Sequence, residues 1–389
     1  MAKTKEKARL DKKVASFNLV GEVKINDYTY KIDEKSSNSD WIWNQLNLGV
    51  DCGENGTVYA EMMGGYGSER DNVIYVHGKK IDNNGRIVDD FENQYTIDWD
   101  DRFDESITEE IGDMCFITVG LEKDSHDKTF TKRFLSAYDA INYIKQYLDN
   151  GMVVNIKGNL KYQKYQDNVI VKKEINSIYL SKAEKENYRA TFIQTMLLTK
   201  DSVGKVDKER SVIPLYAKVI DYVKMWNDKE VKCNVPFDKT FEVAVDLTNH
   251  KGVDLWINKI LKVKKGVTEI TFEGDLIESG SIINVTEDDI PDDIKDLIEM
   301  GAYTLEEALT KCTENTSKER KMVVKKPVIR MVGEDGSKVP VVQKFENKYT
   351  EEDLILDFMY DDENETAEEL QDLSSENTDE DWLSQLMGE

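Results

Sequence analysis

Apolar and polar residues alternate with a period of two along much of the first 285 residues, which predicts half-buried β-strands. FNLVGEVKI is the first such run, and Gly21 at its centre is what a strand bending around a barrel needs. TVYAEMM and NVIYVHGKK follow, separated by the glycine-rich GGYGSERD and readable as a hairpin. Residues 88–112 are dominated by acids and read as an insertion, after which MCFITVGLEK and KTFTKRFL resume the strand pattern. The period then changes. SAYDAINYIKQYLDNG predicts a helix with Ser136 as N-cap, Gly151 just past its end, and an apolar face of Ala140, Ile141, Ile144 and Leu148. MVVNIKGNLKY and NVIVKKEINSIYL are two long strands joined by the short polar stretch QKYQD.

Three β elements, a helix and two further strands are the order of the OB barrel, a five-stranded Greek key. The first barrel is therefore expected at residues 14–182, behind a flexible basic arm at 1–13. A second OB-like unit is expected at 188–286, from YRATFIQTMLLT, SVIPLYAKVIDYV, TFEVAVDL and GVTEITFEGDLI; VDLWINKI between them reads equally as a short helix or a strand. Residues 287–317 predict a small helical hairpin, with Gly301 ending one helix and Thr304 capping the next. Residues 318–349 carry nine basic and four acidic residues and read as a basic linker. Residues 350–389 read as a disordered acidic tail. The fold class is thus mainly β: two OB-type barrels, a helical hairpin and a tail.

Charge refines this picture. The chain holds 77 Asp and Glu against 52 Lys and Arg, a net charge of -25. Sixteen of those acids lie from Glu351 onward, where there is no Lys or Arg, which leaves 61 acids against 52 bases before it. A local basic groove is compatible with such a body, because salt screens each charge beyond about 8–10 Å. No stretch approaches the roughly 20 apolar residues of a membrane helix, and the N-terminus lacks the apolar core of a secretory signal. Cys52, Cys115, Cys233 and Cys312 are far apart and show no metal spacing, so a reducing, cytoplasmic setting is expected. His77, His126 and His250 are scattered, and phosphate-loop, dinucleotide, metalloprotease and nucleophile-elbow motifs are missing. Neither a catalytic site, a metal nor a cofactor is expected.

Nucleic acid fits the candidate residues better. Single strands are held by bases stacking on aromatic rings while Lys and Arg follow the phosphates. Lys161, Tyr162, Lys164 and Tyr165 cluster in LKYQKY, at an expected exposed hairpin tip of the first barrel. Trp41 and Trp43, two apart, face one side if extended, and Arg70, Lys79, Lys80, Lys132 and Arg133 are candidates for the groove. In the second unit Arg210, Tyr216, Lys218, Trp226 and Lys232 repeat the mixture, and Trp256 with Lys262, Lys264 and Lys265 is the favoured cluster. Each of these also reads as ordinary surface charge or a packing aromatic. The tail ends TDEDWLSQLMGE, where Asp379, Glu380, Asp381, Trp382, Leu383 and Leu386 give an acidic tip with an apolar anchor for a protein partner.

An OB barrel followed by an acidic tail with an apolar tip resembles the bacterial and bacteriophage single-stranded DNA-binding proteins. That resemblance implies a non-catalytic coat on single-stranded DNA in replication, recombination and repair, with replication or repair proteins docked on the tail. It favours a viral, replication-associated protein. Two barrels in one chain and a tip ending LMGE depart from the family, whose members carry one barrel and close on Pro-Phe. A protein-interaction adaptor in a viral replication or transcription complex, and an acidic DNA mimic, are the alternatives.

Overall fold

The computed structural model describes residues 9–82, 85–123, 125, 128–165, 168–227, 229–279, 295, 319–333 and 338–359. The chain is mainly β, with three α-helices among the described residues. Strands form where alternation predicts them: β1 (Ala15–Lys24), β2 (Tyr30–Lys35), β3 (Trp41–Asp51) and β4 (Thr57–Gly67). β5 (Val73–Ile81) does not pair back onto β4, because β4 already has β3 on one edge and meets a later strand on the other. It pairs instead with β6 (Ile87–Asp98), so the acid-rich stretch forms a two-stranded ribbon. After α1 (Glu105–Thr108), β7 (Ile117–Lys123) and β8 (Thr129–Phe134) return to the main sheet.

Helix α2 (Ala137–Tyr147) starts where its cap demands, the Ser136 hydroxyl oxygen accepting the Tyr138 N–H. Its buried face, Ala140, Ile141, Tyr143 and Ile144, closes one end of the core. Then come β9 (Val153–Tyr165) and β10 (Asn168–Leu180). The pairings run in a closed circuit: β1 with β3, β3 with β4, β4 in parallel with β10, β10 with β9, and β9 with β1.

The second half repeats this order with β11 (Arg189–Leu198), β12 (Val212–Trp226), β13 (Lys229–Ala244), α3 (His250–Leu255) and β14 (Val267–Ser279). The ambiguous VDLWINKI is helical, α3 running into a π-helical turn at Trp256–Leu261. The strand that completes this circuit is β15 (Glu319–Pro327), parallel to β13 and antiparallel to β14. It lies in the expected linker, which is instead four strands, with β16 (Ile329–Val332), β17 (Val339–Val342) and β18 (Lys344–Tyr349) following. The reason is non-local: Met322, Val323 and Val324 are buried, while Lys325 and Lys326 meet Asp275 (3.1 Å) and Glu273 (3.3 Å) on β14.

One seam joins the circuits. Residues Ala15 to Val20 of β1 pair antiparallel with Gln194 to Arg189 of β11, so the first strand of one circuit borders the first strand of the other. At Gly21 β1 exchanges β11 for β3; a Cβ there would stand 2.0 Å from the Asp51 carbonyl oxygen, so only glycine admits β3. Phe17 lies directly opposite Phe192 across the seam, and each ring packs over a glycine of its circuit's fourth strand, Gly158 or Gly274. The buried residues of both circuits form one continuous cluster.

The arm is anchored at its end. Leu10 is buried with Leu197, Ile220, Val267, Tyr349 and Leu354, and the Lys13 ammonium is 2.6 Å from Glu269. Residues 1–8, the expected helical hairpin apart from Lys295, and the tail from 360 lie outside the described residues.

Because the core is continuous through Phe192, Phe192→Ala is expected to cost about 3–5 kcal/mol. Denaturant unfolding followed by tryptophan emission and by far-ultraviolet dichroism should give one coincident transition at lower denaturant. Two separated transitions would mean that the circuits unfold independently.

Candidate nucleic-acid interface

The seam sets the β9–β10 hairpin of the first circuit beside the β12–β13 ribbon of the second, and buried polar groups fix the approach. Asp221 on β12 is buried; its carboxylate accepts the Tyr162 N–H at 2.8 Å and lies 3.4 Å from the Lys161 ammonium. The Tyr162 hydroxyl donates to Gln194 Oε1 on β11 at 2.9 Å. Lower down, Lys173 of β10 forms a buried ion pair with Glu278 of β14. Each of these interactions ties one circuit to the other.

Two clefts of about 800 and 690 Å³ lie side by side along this junction, with Lys164, Trp226 and Phe237 in the walls of both, and together they make up the channel. Lys161, Lys164, Lys172 and Lys224 line the first, and Arg210, Lys239, Arg320 and Lys321 the second. Eight cations thus face four carboxylates, those of Glu174, Asp221, Asp238 and Glu242. Three of the four already have a cation: Asp221 has Lys161, Asp238 has Lys218 and Glu242 has Arg210. In a chain of net charge -25 this is a local reversal of sign.

Trp226 sits where the two clefts meet. It is 7% exposed, with Phe237 at 6.1 Å on one side and the Lys164 ammonium 5.4 Å from the ring centre. Its indole N–H is buried and finds no acceptor among the described residues. Burial first, and then the charge of Lys173, hold the Lys239 ammonium below the usual lysine range. The channel therefore offers cations for phosphates, beside a buried aromatic ring whose N–H has no acceptor among the described residues.

The sequence candidates are distributed differently from expectation. Lys161 and Lys164 line the channel. Tyr162 is not at an exposed tip: strand pairing runs on to Tyr165, and Tyr162 is 4% exposed under β12, where the second circuit covers a face that alternation alone leaves open. The side chain of Tyr165 lies outside the described residues. Trp41 and Trp43 share the outward face of β3, opposite Gly67 and Gly65 of β4, and are half-buried. The Arg70 guanidinium lies 5.9 Å from the Trp41 ring and the Lys31 ammonium 5.7 Å from the Trp43 ring. This is a second, flat aromatic surface.

Lys79 and Lys80 stand on the β5–β6 ribbon, beside Asp113 (3.4 Å) and Asp90 (3.1 Å). Lys132 and Arg133 on β8 lie over Tyr143 and Phe116. These four are not brought to the channel. Trp256 packs on Phe272 at 6.2 Å, and Lys262, Lys264 and Lys265 are exposed on the connection to β14. The tail residues from Asp379 to Leu386 lie outside the described residues. Lys172, Lys224, Lys239, Arg320 and Lys321 had no sequence signal, because their neighbours come from distant strands.

The YorF family model matches residues 121–302, which begin in β7 and run through α2, β9 and β10 into β11 to β14. No curated protein matches the chain. Among solved structures, the wild-type single-stranded DNA-binding protein from Thermus aquaticus superposes with a TM-score of 0.30 at 9% identity, over 69% of this chain and 87% of that one. A deletion mutant of the same protein gives 0.29 at 10%, over 69% and 88%.

Two outcomes follow from this geometry. Tyr162→Phe strands the buried Gln194 oxygen, so unfolding should become easier by about 1–3 kcal/mol in denaturant melts, with the channel surface intact. An anion docked at Lys239 stabilises its charged form, and this lysine titrates early. Affinity for a polyanion should therefore fall as pH rises through the alkaline range, and Lys239→Met should flatten that fall in titrations across pH.

Proposed function

We propose that the chain binds single-stranded DNA with little sequence preference, and that each strand circuit is an OB-type barrel contributing one wall of the binding channel. The observation that carries this reading is the gathering of eight Lys and Arg along two clefts that share Trp226, in an otherwise acidic protein. Phosphates require the cations, and an aromatic ring is useful only to bases that are free to stack. Duplex DNA hides those faces. The Trp41–Trp43 surface, with Arg70 and Lys31, extends the path along the first circuit, and Lys262, Lys264 and Lys265 supply charge on the second. The role is that of a cytosolic coat rather than a catalyst. The acidic tip, from Asp379 through Trp382 and Leu383 to Leu386, recruits replication or repair proteins.

One observation favours a protein-docking role beside this one. Tyr75, Ile81 and Ile87 stand exposed on the β5–β6 ribbon, away from the channel.

The test is a fluorescence titration with oligo-dT at several salt concentrations. Binding should weaken with salt. Replacing Lys164, Lys172 or Lys224 by alanine should lower the log–log slope by about 0.7 for each phosphate left without its lysine. No binding at low salt, or a preference for duplex over single strands, would sink the reading.

A further inference from the structure

The channel wall carries one charge of the wrong sign for a phosphate strand. Glu174 of β10 is exposed and lines the first cleft. Alternation along β10 puts it on one face with Lys172, and the β9–β10 ladder sets Lys161 opposite Lys172, diagonal to Glu174. On the other side of β10, Glu61 of β4 is the residue paired with Glu174 in parallel register. Both lysines are already engaged. Lys172 is 3.3 Å from Glu61, and Lys161 is 3.4 Å from Asp221. Three carboxylates thus share two ammonium groups, and Glu174 is the one with no cation within 4.0 Å among the described residues.

Resting on the DNA-binding reading, we propose that a strand entering the channel drives a proton from solvent onto Glu174, and that this residue makes strand affinity depend on pH. As a carboxylate, Glu174 repels the phosphates that Lys161 and Lys172 attract. Once its carboxyl holds the proton as O–H, that repulsion ends, and the same group can donate a hydrogen bond to a phosphate oxygen. The charged and titratable groups around it come from four strands. They are Lys161 and Lys164 of β9, Lys172 of β10, Glu61 of β4, and Asp221, Tyr222 and Lys224 of β12. Lys173, the next residue along β10, is turned away and paired with Glu278. Among the described residues no histidine lines either cleft. Lysine and tyrosine side chains ordinarily titrate far above neutral. Glu61 and Asp221 each keep an ammonium beside them, so the response in the acid range falls to Glu174.

The surroundings of Glu174 act in the same direction. Desolvation by the strands around it raises its carboxyl above the usual glutamate range; Lys161 and Lys172 draw it down, Asp221 and Glu61 push it up, and the net shift is upward. A phosphate alongside raises it further, so the bound state keeps the proton at a pH where the free state has lost it. Affinity therefore climbs as pH falls from about 7 towards about 5. The linkage is reciprocal: the proton favours the strand by the factor by which the strand favours the proton.

Full-length protein and its Glu174→Gln variant, titrated with oligo-dT across this range, test the linkage, since thymine does not titrate there. At neutral pH the variant should bind about three- to tenfold more tightly, as removal of one like charge predicts. Its affinity should then stay flat where wild type gains. Calorimetric titration near the middle of the range, in two buffers of different ionisation enthalpy, reads proton uptake directly. Wild type should take up protons on binding, and the variant fewer. If dichroism shows the variant misfolded, Glu174→Ser takes its place. Wild-type binding without proton uptake, or the same pH dependence in wild type and a folded variant, overturns the linkage and leaves the DNA reading standing. If neither protein binds oligo-dT at any of these pH values, the DNA reading fails and takes the linkage with it.

Discussion

The antiparallel pairing of β1 with β11 is the constraint on which the rest of the molecule depends. A first strand with an unpaired edge exposes N–H and C=O groups that water or another chain must satisfy. Here the two first strands satisfy each other between Ala15–Gln194 and Val20–Arg189, and Gly21 ends the exchange so that β3 can take over. This backbone ladder fixes the angle between the circuits more firmly than side-chain packing alone. The β9–β10 hairpin and the β12–β13 ribbon come together only as a consequence.

Electrostatics then distinguishes the basic surfaces. Lys79, Lys80, Lys132 and Arg133 are cations, yet each has a carboxylate within 4.0 Å, and such exposed pairs project little field beyond the screening length. The channel differs in degree, since Lys161, Lys172, Arg210 and Arg320 also have a carboxylate within 4.0 Å. Its cations outnumber its acids, and Asp221 and Glu278 are consumed in holding the two circuits together. Lys239 is left half-buried beside Lys173, which is itself paired with Glu278. An arrangement that crowds positive charge is unfavourable alone and becomes favourable when an anion arrives.

Local signals were legible and non-local ones were not. Helix α2 could be read from Ser136 and the spacing of Ala140, Ile141 and Ile144, because cap and face both lie within a dozen residues. The alternating strands of the first circuit could be read for the same reason. Tyr162 was misread because alternation assigns one face to the core and the other to solvent, and β12 of a distant segment covers that second face. The basic residues of 318–349 looked like linker charge until Asp275 and Glu273 of β14 supplied partners to Lys325 and Lys326. Trp226 was visible as one aromatic among several basic residues. Its place at the junction depends on Lys164 and Phe358, 62 residues before and 132 after it in the chain.

The channel is therefore a property of the junction and belongs to neither circuit alone. Lys161, Lys164 and Lys172 come from the first, and Trp226, Lys224 and Lys239 from the second. Apolar packing across the seam would tolerate small slips, since the hydrophobic effect is non-directional. The Asp221–Tyr162–Gln194 network does not tolerate them: moving β9 along β12 by one residue removes the N–H from a buried carboxylate and the hydroxyl from a buried amide oxygen. Polar burial at this point secures register more than stability. That register holds Lys164 over Trp226, so the network that aligns the two circuits also aligns the charge and the ring on which the proposed binding of a single strand rests.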